Sequence, residues 1–219
     1  MTSRAFSKGA IVAALSVVGL ALPANAAVST FDSDDEGWLI TGDSTGVEPT
    51  YEPSGGNPGS YISADDAVQG GVWYFSAPSK FLGDQSATYG GTLSFDLRQS
   101  ASDNQFDAED IRLISGTSKL VYKQTSNPGT QWTSYDVPLV ANAGWLWDEN
   151  GNETAATETQ MQNVLGDLDT LEIRGEYREF ADVGDLDNVV LVPEPASLSI
   201  SLALLASPML CRGRRHRRA

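Results

Sequence analysis

The chain has 219 residues, with 29 acidic and 14 basic side chains and a net charge of −15 at pH 7. This excess of negative charge disfavours nucleic acid and anionic membranes as partners. The single cysteine and the single histidine are Cys211 and His216. The residues before them therefore lack the thiol and imidazole groups that serine-, cysteine- and zinc-type mechanisms require.

The N-terminus predicts a secretory signal peptide. Arg4 and Lys8 form a basic region, and Ala10–Leu22 is an apolar stretch of 13 residues. Ala24-Asn25-Ala26 then supplies the small-x-small pattern that precedes cleavage. Because 13 residues are fewer than the roughly 20 that span a bilayer, a permanent anchor is disfavoured. We expect residues 1–26 to form a signal helix that is removed during export.

The central part of the chain alternates apolar and polar residues with a period of two, which is typical of β-strands. The clearest strand is Thr92–Gln99. In Thr170–Tyr177 the same alternation predicts that Glu172, Arg174 and Glu176 face solvent. Shorter strands are predicted at Ser60–Ala64, Val72–Ser76, Asp110–Ile114, Lys119–Lys123, Gln131–Val137 and Asp187–Val192. A change of phase in Gln131–Val137 suggests a bulge.

One short helix is predicted, at Glu158–Leu168. Thr157 can cap its N-terminus, with Gln160 completing a capping box. Many short strands separated by glycine, proline and asparagine turns predict an all-β, two-sheet antiparallel sandwich over residues 27–192. Of the 29 acids only Glu194 lies outside this segment, and seven of the 14 bases lie inside it, so its net charge is −21.

Several motifs of this segment suggest a family. They are Gly55-Gly56-Asn57-Pro58-Gly59-Ser60-Tyr61-Ile62, Trp73-Tyr74-Phe75-Ser76-Ala77-Pro78, Lys80-Phe81-Leu82-Gly83-Asp84, Tyr89-Gly90-Gly91-Thr92-Leu93-Ser94-Phe95-Asp96-Leu97 and Leu186-Asp187-Asn188-Val189. From about Phe31 to Leu191 the chain resembles the laminin B domain (laminin domain IV) of extracellular matrix proteins and some bacterial secreted proteins. The resemblance implies a jelly-roll sandwich, related to galactose-binding-like and carbohydrate-binding folds, and does not imply an enzyme. Animal members usually interrupt cysteine-rich repeats, which this chain lacks.

The resemblance also implies a structural calcium ion. In similar jelly rolls the opening and closing strands lie side by side, and Ca²⁺ sits between their carboxylates and nearby carbonyls. The matching carboxylates are Asp32 and Asp187, with Asp34 or Asp185 as possible additional ligands. Neighbouring carboxylates repel each other and gain from a hard divalent cation with oxygen ligands. The alternative is that they are solvated turn residues on an acidic surface.

Aromatic residues are the candidates for ligand binding. Trp38, Trp73 and Trp132 lie in predicted strands, and we expect them in the core, where large aromatic side chains dominate packing. Trp145 and Trp147 lie in a predicted loop, residues 143–152, where paired tryptophans could stack on sugar rings. The alternative is that these two cover an edge of the core.

Catalysis would have to use carboxylates alone. A glycosidase needs two facing carboxyl groups, for which Glu172, Glu176 and Glu179 are available. Spacing alone does not select an acid and a base among 28 acidic side chains. The interpretation favoured by the sequence is a binding or scaffolding domain, with a carbohydrate-binding module as the first alternative and a carboxylate-dependent glycosidase as the second.

The C-terminus resembles the PEP-CTERM sorting signal that bacterial exosortases read. Pro193-Glu194-Pro195 precedes an apolar run that ends at Cys211, and an arginine-rich tail follows at 212–218. The 16 residues from Ala196 to Cys211 would span about 24 Å as a helix, against a bilayer core of about 30 Å. The sequence therefore predicts a transient membrane helix within 193–219, held by cytoplasmic arginines. The expected partners are an exosortase and extracellular polysaccharide or matrix at the cell envelope or surface.

Overall fold

The computed structural model describes residues 26–43, 47–66 and 70–193. The predicted signal helix and membrane helix, and Glu194 and Pro195 of the sorting motif, lie outside these ranges. Among the described residues, none of the helices combines the length and apolar character needed to cross a membrane.

The described residues form thirteen β-strands and one α-helix. In chain order the strands are β1 (Ala27–Ser29), β2 (Leu39–Thr41), β3 (Thr50–Gly56), β4 (Gly59–Asp65), β5 (Tyr74–Ser76), β6 (Thr92–Gln99), β7 (Ile111–Ser115), β8 (Ser118–Tyr122), β9 (Thr133–Pro138), β10 (Leu146–Glu149), β11 (Asn152–Ala155), β12 (Thr170–Arg174) and β13 (Val183–Val192). The helix α1 (Glu158–Gly166) lies between β11 and β12.

The strands form two antiparallel sheets, as predicted. The first sheet has the order β3-β4-β13-β6-β9, with β1 also paired to β13. The second sheet has the order β11-β10-β8-β7-β12-β5-β2. Since most neighbours are distant along the chain, this is the interleaved topology of a sandwich, and the all-β prediction with one short helix is confirmed.

The core lies between the sheets and is built around large aromatic side chains. Trp38 and Trp73 are buried, as predicted. The Trp38 ring lies between Phe31 and Phe81 in edge-to-face contacts with centroid distances of 6.2 and 5.5 Å. Its Nε1 donates to Ser29 Oγ at 2.9 Å. Burial of such rings, with their polar atoms paired, is the main source of stability in a sandwich without disulfides.

Local signals placed two elements correctly. Strand β6 has the predicted bounds, and its alternate residues Leu93 and Leu97 are fully buried. The helix α1 begins with the predicted capping box, in which Gln160 N donates to Thr157 Oγ1 and Thr157 N donates to Gln160 Oε1.

The prediction that Glu172, Arg174 and Glu176 face solvent is wrong. These side chains are 9, 0 and 3% exposed. Strand β12 is inside the second sheet, between β7 and β5, and the segment around Phe106 covers its outer side. The Arg174 guanidinium lies 4.4 Å from the Phe106 ring centroid, and its Nη2 donates to Phe106 O at 2.9 Å. The polar side of this strand is therefore a buried network instead of a solvated face.

Candidate functional site

The first sheet has a polar outer face, opposite the side that packs against the second sheet. Because side chains alternate along each strand, the residues between the core positions point outward. We call this set the outer face: Tyr61 and Ser63 on β4, Asp185 and Asp187 on β13, Ser94, Asp96 and Arg98 on β6, and Trp132, Ser134 and Asp136 on and beside β9. It combines two aromatic rings with acceptor oxygens and one cation.

An arginine stands at the centre of the aromatic part of this face. The Arg98 guanidinium carbon lies 5.0 Å from the Tyr61 ring centroid and 4.5 Å from the Trp132 ring centroid. The two rings meet edge to face, with centroids 5.4 Å apart. Arg98 also forms an ion pair with Asp185, with Nη2 2.7 Å and Nε 2.8 Å from Oδ2. These contacts hold both rings in one orientation before any ligand arrives.

Trp132 is therefore not the core residue that the sequence predicts. It is half-buried, and its Nε1 donates to Gly55 O at 2.9 Å. The predicted bulge is also wrong, because β6 and β9 pair without interruption from Thr92–Pro138 to Leu97–Thr133. The apparent change of phase arose because Trp132 belongs to the outward-facing side of the alternation, together with Ser134 and Asp136.

Trp145 is the reverse case. The predicted loop at 143–152 is largely the hairpin of β10 and β11, and Trp145 precedes it with 0% exposure. Its Nε1 donates to Pro138 O at 2.9 Å, and its ring centroid lies 5.2 Å from that of Tyr122. The expectation of an exposed Trp145 is wrong, because the ring fills the core.

Trp147 lies at the edge of the core. It faces Leu120 across β8 and β10, and it packs against the core while keeping part of its surface accessible. A ligand-binding role for Trp147 stays a prediction.

A second cluster adjoins the aromatic part of the outer face. Asp187 faces Asp96 across β13 and β6. The turn between β3 and β4 covers Asp187, whose Oδ2 accepts the Asn57 backbone N–H at 2.6 Å and whose Oδ1 accepts that of Asn188 at 2.7 Å. A Cβ at Gly56 would lie 2.6 Å from Asp187 Oδ2, so this close approach explains the second glycine of the turn.

The amides of this cluster are turned toward Asp96. Asn57 Nδ2 and Asn188 Nδ2 donate to Asp96 Oδ2 at 3.1 and 2.9 Å. Burial, and then the negative charges of Asp96 and Asp32, raise the pKa of the Asp187 carboxyl to about 6, although the two backbone N–H donors act in the opposite direction. Asp187 is thus a buried carboxylate with negative neighbours, which is the electrostatic situation that a cation would relieve.

The calcium prediction finds only part of its ligands here. Asp32 is exposed and accepts a hydrogen bond from Thr30 Oγ1 at 3.0 Å. Of the two additional ligands, Asp34 accepts the Glu36 N–H at 2.9 Å, and Asp185 is paired with Arg98. Within the described ranges, no three histidine, cysteine or acidic side chains are grouped so that they could hold a metal. The calcium site at Asp32 and Asp187 therefore stays a prediction.

A separate cleft lies on the side of β12 and contains two of the glutamates considered for catalysis. It has a volume of about 250 Å³ and is lined by Gly70, Gly71, Phe106, Glu176 and Glu179. Burial, and then the charges of Asp66 and Asp43, raise the pKa of Glu176 to about 7. Glu172 is elsewhere, accepting a hydrogen bond from Thr41 Oγ1 at 2.7 Å. Of the three glutamates, Glu176 and Glu179 are therefore the two that share a cleft.

The sequence predicts a role for only two residues of the outer face, Asp187 and Asp185, both as calcium ligands. It predicts Trp132 in the core, and Tyr61 appears only within a family motif. Asp96 and Arg98 were visible only as polar positions of β6. The outward orientation of Trp132 can be deduced from the alternation along the strand. Counting by two from the buried Tyr135 and Val137 places Trp132 on the opposite side.

Comparisons with known proteins agree with this architecture. The family model described as Laminin B (Domain IV) matches residues 74–196. Laminin subunit gamma-1 of Homo sapiens is 31% identical over 167 residues, which are 74% of this chain and 10% of that protein. The Danio rerio subunit is 32% identical over 169 residues, 75% of this chain and 10% of that protein. The chain thus matches about a tenth of the length of these relatives.

The fold has a counterpart among solved structures. The L4b domain of human laminin alpha-2 superposes with a TM-score of 0.59 at 14% identity, covering 76% of this chain and 97% of that domain. This likeness concerns the fold alone, but it includes nearly all of the solved domain. The family match covers more than half of the sequence, and the solved laminin domain has the same fold. This chain belongs to the laminin B (domain IV) family.

Proposed function

We propose that this chain is an exported matrix or envelope protein whose sandwich binds its partner without turning it over, and that the outer face holds a polysaccharide. The single observation that carries the proposal is the Tyr61–Arg98–Trp132 cluster beside exposed acceptor groups. Binding sites for small ligands combine aromatic surface with a few placed polar groups. Sugar rings match this combination, because they present C–H faces to aromatic rings and hydroxyl groups to carboxylates.

The position of the cluster supports binding over packing. Trp132 and Tyr61 are only half-buried, and Ser134 and Asp136 beside them are exposed. Since Ser134 and Asp136 on β9 and Ser94 on β6 extend the outer face beyond the cluster, an extended polymer could lie across several strands. A purely structural patch would not need two rings fixed by a shared arginine on the solvent side of the sheet.

Replacing Trp132 with alanine is expected to weaken polysaccharide binding by about 2 kcal/mol, or roughly 30-fold, as for an aromatic anchor at the centre of an interface. Tyr61→Ala should act in the same direction. The measurement is a screen of the purified full-length protein against polysaccharides, with affinity electrophoresis or calorimetry for each one retained.

Trp147→Ala is the matched control, because it removes an equal side chain from the other sheet. It should leave the affinity within about a factor of two of wild type, because β10 belongs to the other sheet and lies away from the outer face. Loss of binding in Trp147→Ala with full binding in Trp132→Ala would move the site to the β10–β11 hairpin and contradict the proposal for the outer face.

Export and sorting form the second part of the proposal. Membership in the laminin B family supports an extracellular location, and the chain ends resemble a signal peptide and an exosortase signal around Pro193, Glu194 and Pro195. Deleting residues 212–219 should leave the protein unprocessed or in the wrong compartment, because the arginines that stop transfer are gone. Fractionation with immunoblotting measures this, and unchanged surface delivery would count against sorting.

The calcium prediction is tested by melting. If Ca²⁺ binds near Asp32 and Asp187, an ion concentration about 100 times the dissociation constant raises the free energy of unfolding by roughly 2.7 kcal/mol. An excess of chelator should then lower the melting temperature by roughly 5–10 °C for a domain of this size. The Asp187→Asn variant should lose this dependence. Identical melting curves of the wild type with calcium and with chelator would remove the ion from the proposal.

A further inference from the structure

The basic side chains of the sandwich are all occupied. All seven lysines and arginines of residues 27–192 lie in the described ranges, and each forms an ion pair with an acid: Lys80 with Glu36, Arg98 with Asp185, Arg112 and Lys119 with Glu109, Lys123 with Glu153, Arg174 with Asp110, and Arg178 with Asp103. Against them stand 28 acids. A carboxylate or sulfate on a ligand would therefore meet no available cation in this part of the chain.

On the outer face, Arg98 illustrates the point most directly. It is the one cation of that set, and Asp185 holds it by two nitrogens at 2.7 and 2.8 Å. Its guanidinium is also covered by the rings of Tyr61 and Trp132. To bind an anionic sugar, Arg98 would have to leave Asp185 and disorder the aromatic cluster that the proposed site depends on.

The nitrogen donors beside the rings are occupied as well. Trp132 Nε1 donates to Gly55 O, and the amides of Asn57 and Asn188 donate to Asp96. The backbone N–H groups of Asn57 and Asn188 donate to Asp187. What the outer face leaves to a ligand is the exposed carboxylate of Asp136, which only accepts, and the uncharged hydroxyl groups of Ser63, Ser94 and Ser134.

We infer that the ligand of the outer face is an uncharged, hydroxyl-rich polysaccharide, and that the same site excludes uronic-acid and sulfated polymers. This inference rests on the proposed function. Hydroxyl groups donate to the free acceptors, and the sugar faces cover the rings. An anionic polymer meets like charges and no available cation, and each unmatched polar contact lowers affinity.

The experiment compares pairs of polymers that share a backbone and differ in charge: hydroxyethylcellulose with carboxymethylcellulose, dextran with dextran sulfate, and curdlan with carboxymethyl curdlan. Affinities of the full-length protein are measured by calorimetry at 0.15 M salt, in chelator and again in 2 mM calcium. We expect at least one uncharged polymer to bind, and to bind at least tenfold more tightly than its charged partner in both buffers. In the Asp136→Lys variant, the affinities for the uncharged polymer and its charged partner should differ by a smaller factor.

Trp132→Ala shows whether the binding belongs to the outer face. If a charged polymer binds as tightly as its uncharged partner, with or without calcium, and Trp132→Ala abolishes this binding, the inference is overturned while the proposed function stands. If wild type binds neither member of any pair, or if Trp132→Ala changes nothing, both the inference and the polysaccharide proposal fall.

Discussion

Replacing Arg174 with methionine is expected to lower the free energy of unfolding by about 3–5 kcal/mol, the cost of breaking a buried ion pair from one side. Arg174 is fully buried, and its Nη1 lies 3.4 Å from Asp110 Oδ1. Methionine keeps much of the length of the side chain but leaves Asp110, which is 3% exposed, without its cation. Urea denaturation followed by tryptophan fluorescence measures the change.

Two further variants identify the cause. Arg178→Met removes an arginine whose partner Asp103 is largely exposed, so it should cost at most about 1 kcal/mol. Adding Asp110→Asn to Arg174→Met should recover about 1–3 kcal/mol, because the uncompensated charge is removed. Equal stability losses in Arg174→Met and Arg178→Met would show that the buried Arg174–Asp110 pair contributes no more to stability than the exposed Arg178–Asp103 pair.

Replacing Trp145 with alanine should also cost about 3–5 kcal/mol, through the cavity that it leaves. The ring is fully buried, contacts Tyr122, and donates its N–H to Pro138 O, which would then lose its partner. The residue also accepts the Ala156 N–H at 2.9 Å through its carbonyl, and that bond would remain. The measurement is the same denaturation series, followed by circular dichroism because a tryptophan is lost.

The control for Trp145→Ala is Trp132→Ala, which removes an equal side chain from the solvent side of the first sheet. We expect it to cost about 1 kcal/mol, the centre of the distribution for single substitutions. The two tryptophans thus exchange the roles that the sequence assigns them. A stable Trp145→Ala protein with weakened polysaccharide binding would restore Trp145 as a ligand contact.

The sequence predicts best what local interactions determine. The capping box of α1 involves residues three positions apart, and its two hydrogen bonds form as expected. The alternation of β6 predicts its burial because Leu93, Phe95 and Leu97 face the core, while Ser94 and Arg98 on the other side keep part of their surface accessible. The two-sheet class follows from the number of such strands.

Alternation alone fails for β12 because it cannot reveal what covers the second side of a strand. Arg174 has the same pattern of neighbours as Arg98, yet one is buried beneath Phe106 and the other lies on the outer face. That difference depends on a loop 68 residues away along the chain. No periodicity within β12 contains this information.

The candidate site is likewise assembled from distant segments. Asn57 and Asp187 are 130 positions apart, and the contact between them needs a turn whose Gly56 leaves room for the carboxylate. Asp187 could be selected from a motif, but its neighbour Asp96 follows only from the register of the sheet.

The pairing of β1 with β13 has a consequence for how the sandwich can be attached. Ala27 lies opposite Leu191 across this antiparallel pair, so the polypeptide enters and leaves the globule at neighbouring points. A domain with adjacent entry and exit can be inserted into a host chain, or suspended from one tether, without unravelling either sheet. The segments that flank residues 27 and 191 would then attach the sandwich to its surroundings at a single place.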